Sequence, residues 1–107
     1  MRPSAALVDY RETIRRVVHS HRARNVRVFG SVAHGRDTEG SDLDLLVDPT
    51  PETTLFDIGA IRHELQQLLG VPVDVLTPKA LPEEFRAMVL AEAVPVWPWT
   101  NDACATI

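Results

Sequence analysis

A strand with carboxylates on one face and aliphatic side chains on the other must lie at the boundary of a core, and residues 41–48 of this chain, SDLDLLVD, have that pattern. Side chains alternate along extended chain, so Asp42 and Asp44 point one way while Leu43, Leu45 and Val47 point the other. One face is committed to packing and the other to chemistry. A second alternating run, Val26-Arg27-Val28-Phe29, comes before it and breaks at Gly30-Ser31. Two residues of strand span roughly 6.5 Å, which lets both carboxylates converge on cations about 3.5–4 Å apart.

Around these strands the sequence predicts five further elements. Ser4 is a candidate N-cap for a first helix whose apolar positions Leu7, Tyr10, Ile14, Val17, Val18 and His21 follow three-and-four spacing, ending near residues 22–25. His19 and His21 diverge by about 200° on such a helix and read as surface or boundary residues. Thr54 and Asp57 have the spacing of a capping box for a second helix, with Leu55, Ile58, Ile61, Leu65, Leu68 and Leu69 as its buried side and Gly70 as its stop. Residues 71–76, VPVDVL, form a third strand candidate. Pro82 suits the start of a last helix, running to about Ala91, that buries Phe85, Met88 and Val89, with Met88 as core filler. Residues 94–97 add a short extended segment that Pro95 restricts to an edge. Trp97 and Trp99 either cover the core or meet a partner. The pattern is α+β (α/β), a small mixed sheet of three to four strands flanked by helices.

The Gly30-Ser31 turn has two readings. Gly30 lets backbone approach a ligand, and residues 32–34 can make the first turn of a short helix whose free N–H groups face an anion. A plain helix start with no ligand would look the same. Arg36-Asp37-Thr38-Glu39, between Gly35 and Gly40, reads as a mobile surface connection, and Arg36 as a phosphate contact or an exposed loop residue. Asp74 lies between Val73 and Val75, where an unpartnered acid is costly unless the strand is an edge. If strand three lies beside strand two, Asp74 completes a three-carboxylate site with Asp42 and Asp44.

With 107 residues we expect one domain over residues 1–97 and a frayed tail over residues 98–107, with no second lobe. The net charge of −4 is unevenly spread: eight Arg against Asp9 and Glu12 up to residue 36, then three basic and thirteen acidic residues. The acidic body argues against general DNA binding. The Arg-rich first helix is either a solvated face or a surface for an acidic partner. A single Cys, Cys104, excludes an intrachain disulfide and a Cys-based zinc site. No apolar run approaches the ~20 residues of a membrane span, and no signal-type segment is visible, so a cytoplasmic protein is expected.

Gly30, Ser31, Asp42 and Asp44 together make the pattern G-S-x10-D-x-D, followed later by VDVL. In these residues the chain resembles the DNA polymerase beta-like nucleotidyltransferases, and among them the minimal nucleotidyltransferase (MNT) domains, over most of residues 4–97. The resemblance implies the nucleotidyltransferase fold, Mg²⁺ (two ions) on Asp42, Asp44 and Asp74, and triphosphate contacts from ATP at Gly30 and Ser31. It further implies a partner, a HEPN-type toxin, with which the chain can form a hetero-oligomer. The implied activity is transfer of AMP to a tyrosine hydroxyl of that toxin, so that the chain serves as its antitoxin. Two other readings stay open: an antitoxin that acts by binding alone, and nucleotidyl transfer to a small molecule or an RNA end.

Overall fold

The computed structural model describes residues 2–96. In chain order it contains α1 (Pro3–Asp9), α2 (Arg11–Ser20), β1 (Ala23–Phe29), β2 (Leu43–Pro49), α3 (Leu55–Leu69), β3 (Val73–Leu76), a short 3₁₀ turn (Pro78–Ala80), α4 (Glu83–Glu92) and β4 (Val94–Pro95). The strands form one mixed sheet in the order β3-β2-β1-β4, with β1 antiparallel to β2 and β4, and β2 parallel to β3. This is the α+β arrangement expected, with β4 at the edge where Pro95 costs the least pairing. Residues 97–107, including both tryptophans and the expected tail, lie outside the described residues. Among the described residues no helix is long and apolar enough to cross a membrane.

Alternation along the strands builds the core on one face of the sheet. Val26 and Val28, Leu43, Leu45 and Val47, and Val73 and Val75 all join a buried cluster with Ile14, Val17 and Val18 of α2 and Ile61, Leu65 and Leu69 of α3. α2 and α3 therefore cover this face. Fully burying one such aliphatic side chain stabilises by about 1.5–3 kcal/mol, so this layer dominates the folding free energy. The other face carries Asp44, Leu46 and Asp74.

The expected capping box holds α3: Thr54 Oγ1 accepts from the Asp57 amide at 3.2 Å, and the Thr54 amide donates to Asp57 Oδ2 at 2.9 Å. Gly70 closes the helix in the left-handed conformation, with φ 72°. Two expected core positions are corrected: Leu55 is 89% exposed and Leu68 is half-exposed. Leu55 is the first residue of the helix, and its place in the stripe does not bring it onto the core.

The expected single first helix is two. The chain bends at Tyr10 (φ −118°, ψ 24°), which lets Ala6 of α1 as well as Ile14 of α2 become fully buried. Nor is Ser4 the cap; α1 starts at Pro3, with Arg2 in the cap position. The capping acceptor comes from far along the chain, because the Ser4 amide donates to Asp37 Oδ2 at 2.8 Å and Arg2 Nη2 donates to the Asp37 carbonyl at 2.6 Å. Asp37 is 2% exposed, so the segment expected to be a mobile surface connection is instead fastened to α1 at its centre.

The Ser4 amide holds the Asp37 carboxyl below the usual carboxylate range, with Arg2 assisting against the opposing effect of burial. A lowered folded-state pKa contributes stability above the unfolded value, and that contribution is lost as pH falls through the folded one. Asp37→Ala is therefore expected to lower the melting temperature by several degrees at pH 7, with the gap from wild type closing in acid. Thermal melts across pH check both the sign and the convergence.

Candidate active site

β1 delivers the chain to the site at Phe29, which pairs with Asp44 across the antiparallel ladder. The next residue, Gly30, therefore turns directly against the Asp44 side chain. Its φ is 75°, and a Cβ placed on it would collide with Asp44 Oδ2. Both the backbone conformation and the contact demand glycine here.

The expected short helix after Ser31 does not form. Residues 30–35 close a single turn instead, with His34 N donating to Gly30 O (3.2 Å), Gly35 N to Val32 O (3.1 Å) and Arg36 N to Ser31 O (2.8 Å). Gly35 enters the left-handed region (φ 69°), which ends the turn before helix can propagate. Gly30 and Ser31 remain at the corner beside Asp44. The Arg36 side chain is exposed.

Asp74 arrives from β3. In the parallel register Leu43, Asp44 and Leu45 lie beside Val73, Asp74 and Val75, so Asp44 and Asp74 are neighbours on the same face. Asp42 stands just before β2, two residues from Asp44. One carboxylate oxygen from each of Asp42, Asp44 and Asp74 lies within 4.8 Å of the others. Asp42 and Asp74 are exposed, while Asp44 is half-buried between them.

Burial, then the nearby charges of Asp74 and Asp42, push the Asp44 carboxyl up from 3.8 to about 6. Three oxygen donors at this spacing, one of them destabilised as an anion, suit a hard divalent cation such as Mg²⁺. The donor set, with one oxygen from each carboxylate within 4.8 Å of the others, fits such an ion. In metal-free protein, Asp44 holds a proton in the folded state that it has lost in the unfolded state between pH 3.8 and about 6. Stability should thus fall as pH rises through that window. Magnesium added at pH 7.5 is expected to raise the melting temperature of the wild type, and Asp44→Asn to raise it without magnesium. Calorimetry with and without the ion tests both.

Sequence reasoning passed over His34, whose Nε2 pairs with Glu92 Oε1 at 2.9 Å and ties the turn to the end of α4. Its only local signal is a position four residues after the glycine. His19 and His21 stay away from the carboxylates. His21 is partly exposed and bonds Glu64 between α2 and α3, a boundary role. A cleft of about 280 Å³ lined by His19, Arg22, Ala23, Arg24, Thr50 and Glu52 opens at the opposite end of β1 and β2. There Ala23 pairs with Pro49, at the end of the ladder away from the Phe29–Asp44 pair.

Comparison with known proteins agrees with this geometry. A Methanocaldococcus jannaschii protein named for protein adenylyltransferase activity is 34% identical over 80 residues, covering 75% of this chain and 86% of that protein. The protein adenylyltransferase MntA of Thermococcus cleftensis is 35% identical over 71 residues, 66% of this chain and 72% of the relative. A solved structure assigned to the minimal nucleotidyltransferases superposes with a TM-score of 0.78 at 42% identity, covering 86% of this chain and 94% of that one. A toxin–antitoxin structure with AMP-PNP superposes with a TM-score of 0.70 at 17% identity, covering 81% and 72%, a likeness of fold alone. The nucleotidyltransferase domain family matches residues 11–96, a span that includes the turn, all three carboxylates and α4. A match of that extent, on a fold that gathers the acidic residues at one corner, makes this chain a nucleotidyltransferase and a member of the nucleotidyltransferase domain family.

Proposed function

We propose that the chain uses Mg²⁺ and ATP to transfer AMP to a hydroxyl, a tyrosine hydroxyl, of a HEPN-type toxin, and so acts as its antitoxin in the cytoplasm. The observation that carries the reading is the convergence of Asp42, Asp44 and Asp74 within 4.8 Å beside the glycine corner. The adenylyltransferase names of its relatives support AMP as the transferred group. The toxin–antitoxin structures that share its fold supply the setting.

In this reading Asp42, Asp44 and Asp74 hold the metal, and Gly30 and Ser31 seat the triphosphate. When bound, magnesium neutralises charge on the triphosphate and on the attacking oxygen. Gly30 leaves the Asp44 carboxylate open to the phosphates, and the Ser31 hydroxyl adds a donor to them. Asp74, exposed at the flank, accepts the proton of the acceptor hydroxyl. The acceptor oxygen bonds to the α-phosphorus, the bond from that phosphorus to the bridging oxygen breaks, and pyrophosphate leaves with the electron pair.

Incubation with a HEPN-type protein, labelled ATP and magnesium should label that protein on tyrosine, with mass spectrometry locating the AMP. Labelling of small molecules or RNA ends instead would redirect the acceptor assignment. The exposed apolar side of α4 favours a second reading, neutralisation by occlusion alone. An Asp42→Asn chain that still protected cells from the toxin would establish that reading.

A further inference from the structure

α4 was expected to bury Phe85, Met88 and Val89, yet none of its ten residues is buried. Phe85 is 51% and Met88 53% exposed, and Val89 is only half-buried. Surface helices are ordinarily anchored by an apolar stripe on the core. This one is anchored by polar ties at its two ends. Near its start, Arg86 donates to the carbonyls of Pro78 (2.8 Å) and Leu81 (3.1 Å). At its finish, Glu92 pairs with His34, and the chain passes into β4 on the edge of β1.

The path of the helix is set by topology. β3 and β4 lie on opposite edges of the sheet, so the segment joining them must cross it. α2 and α3 cover the core face. Leu46, two residues beyond Asp44 on the same side of β2, is fully buried outside the main core cluster, and Leu81, just before α4, is also buried outside it. The crossing therefore runs over the carboxylate face. Phe85, Met88 and Glu92 recur at i, i+3 and i+7 and share one side of the helix. Since Glu92 reaches His34 in the turn after Gly30, this apolar side runs up to the catalytic corner.

Charge narrows what can cover it. Glu83 and Glu84 take part in no ion pair among the described residues, whereas the Arg86 guanidinium is spent on carbonyls. The three active-site carboxylates add negative charge on the same face. A second copy would bring an identical acidic rim against this one. A partner with an apolar ridge flanked by Lys or Arg is complementary.

We propose that the Phe85–Met88 side of α4 is the docking surface for the protein that presents the acceptor hydroxyl, through a basic, apolar surface of that protein. The inference rests on the reading of the acceptor as a protein. Its location explains why an apolar helix is pinned in place without being buried: Arg86 and Glu92 hold the surface in position before the partner arrives, which lowers the ordering entropy lost on docking.

The test uses the full chain, the HEPN-type protein as probe, and the exposed double variant Phe85→Asp/Met88→Asp. The variant is expected to keep its melting temperature and its magnesium-dependent ATP affinity. Its affinity for the HEPN-type protein should drop at least ~10-fold, and KM for that protein should rise while KM for ATP stays constant. Glu83→Lys/Glu84→Lys should weaken binding several-fold and reduce its salt dependence. An unchanged acceptor affinity in the aspartate variant would overturn the docking surface while leaving AMP transfer intact. So would a wild-type dimer that the variant disperses, or equal binding gained by deleting residues 97–107 from the variant, since another occupant would then own the surface. Wild type that binds through α4 but transfers no AMP would overturn the transfer reading alone. Wild type that neither binds nor transfers would overturn both.

Discussion

Asp44→Asn is expected to lower nucleotidyl transfer about a thousandfold or more, the loss of several kcal/mol of transition-state stabilisation. The reason is position. Asp44 lies between Phe29 of β1 and Asp74 of β3 in the sheet register, so its carboxylate is held from both sides while Asp42 and Asp74 are exposed. An amide keeps the shape but removes the charge a divalent ion needs. The folded state should not suffer, because the substitution also removes an anion that burial and two like charges disfavour. A single-turnover assay with saturating ATP, paired with a thermal melt, separates these outcomes. Undiminished transfer would show that the carboxylate trio is not the metal site.

Gly30→Ala should reduce transfer about a hundredfold, for a different reason. The left-handed backbone alone costs a residue with a side chain about 1–2 kcal/mol. The larger effect is steric, since the new methyl group would collide with Asp44 Oδ2 and drive the carboxylate away from its partners. Gly35→Ala is the control. Gly35 has a similar φ of 69°, but nothing lies within 4 Å of the methyl group it would gain. It should share the backbone cost and keep most of the activity. If the two variants lost activity equally, the close approach of Gly30 to Asp44 would not matter to the chemistry.

Strand alternation was legible because it is local: the period of two assigned Leu43, Leu45 and Val47 to the core and Asp42 and Asp44 to the opposite face. The Thr54–Asp57 box was legible for the same reason, three residues apart on one backbone turn. Asp74 was half legible. Its place between two valines marked it out, although on the edge strand β3 it is exposed and carries no burial cost; only the parallel register of β3 against β2 brought it beside Asp44.

Asp37 shows the opposite case. Its sequence surroundings are those of a loop, while its carboxylate accepts from the amide of Ser4, in the first turn of a helix 33 residues earlier, and no local pattern encodes that distance. α4 shows the same limit for packing. Spacing can show that Phe85 and Met88 share a side, yet whether that side meets a core depends on what the sheet places opposite. The sequence by itself determined the strand alternation, the capping box of α3 and the types of side chain offered to the site. The tertiary structure alone decided which acids meet, which loop is fastened and which apolar face stays open, because those depend on contacts between segments whose separation along the chain carries no periodic signal.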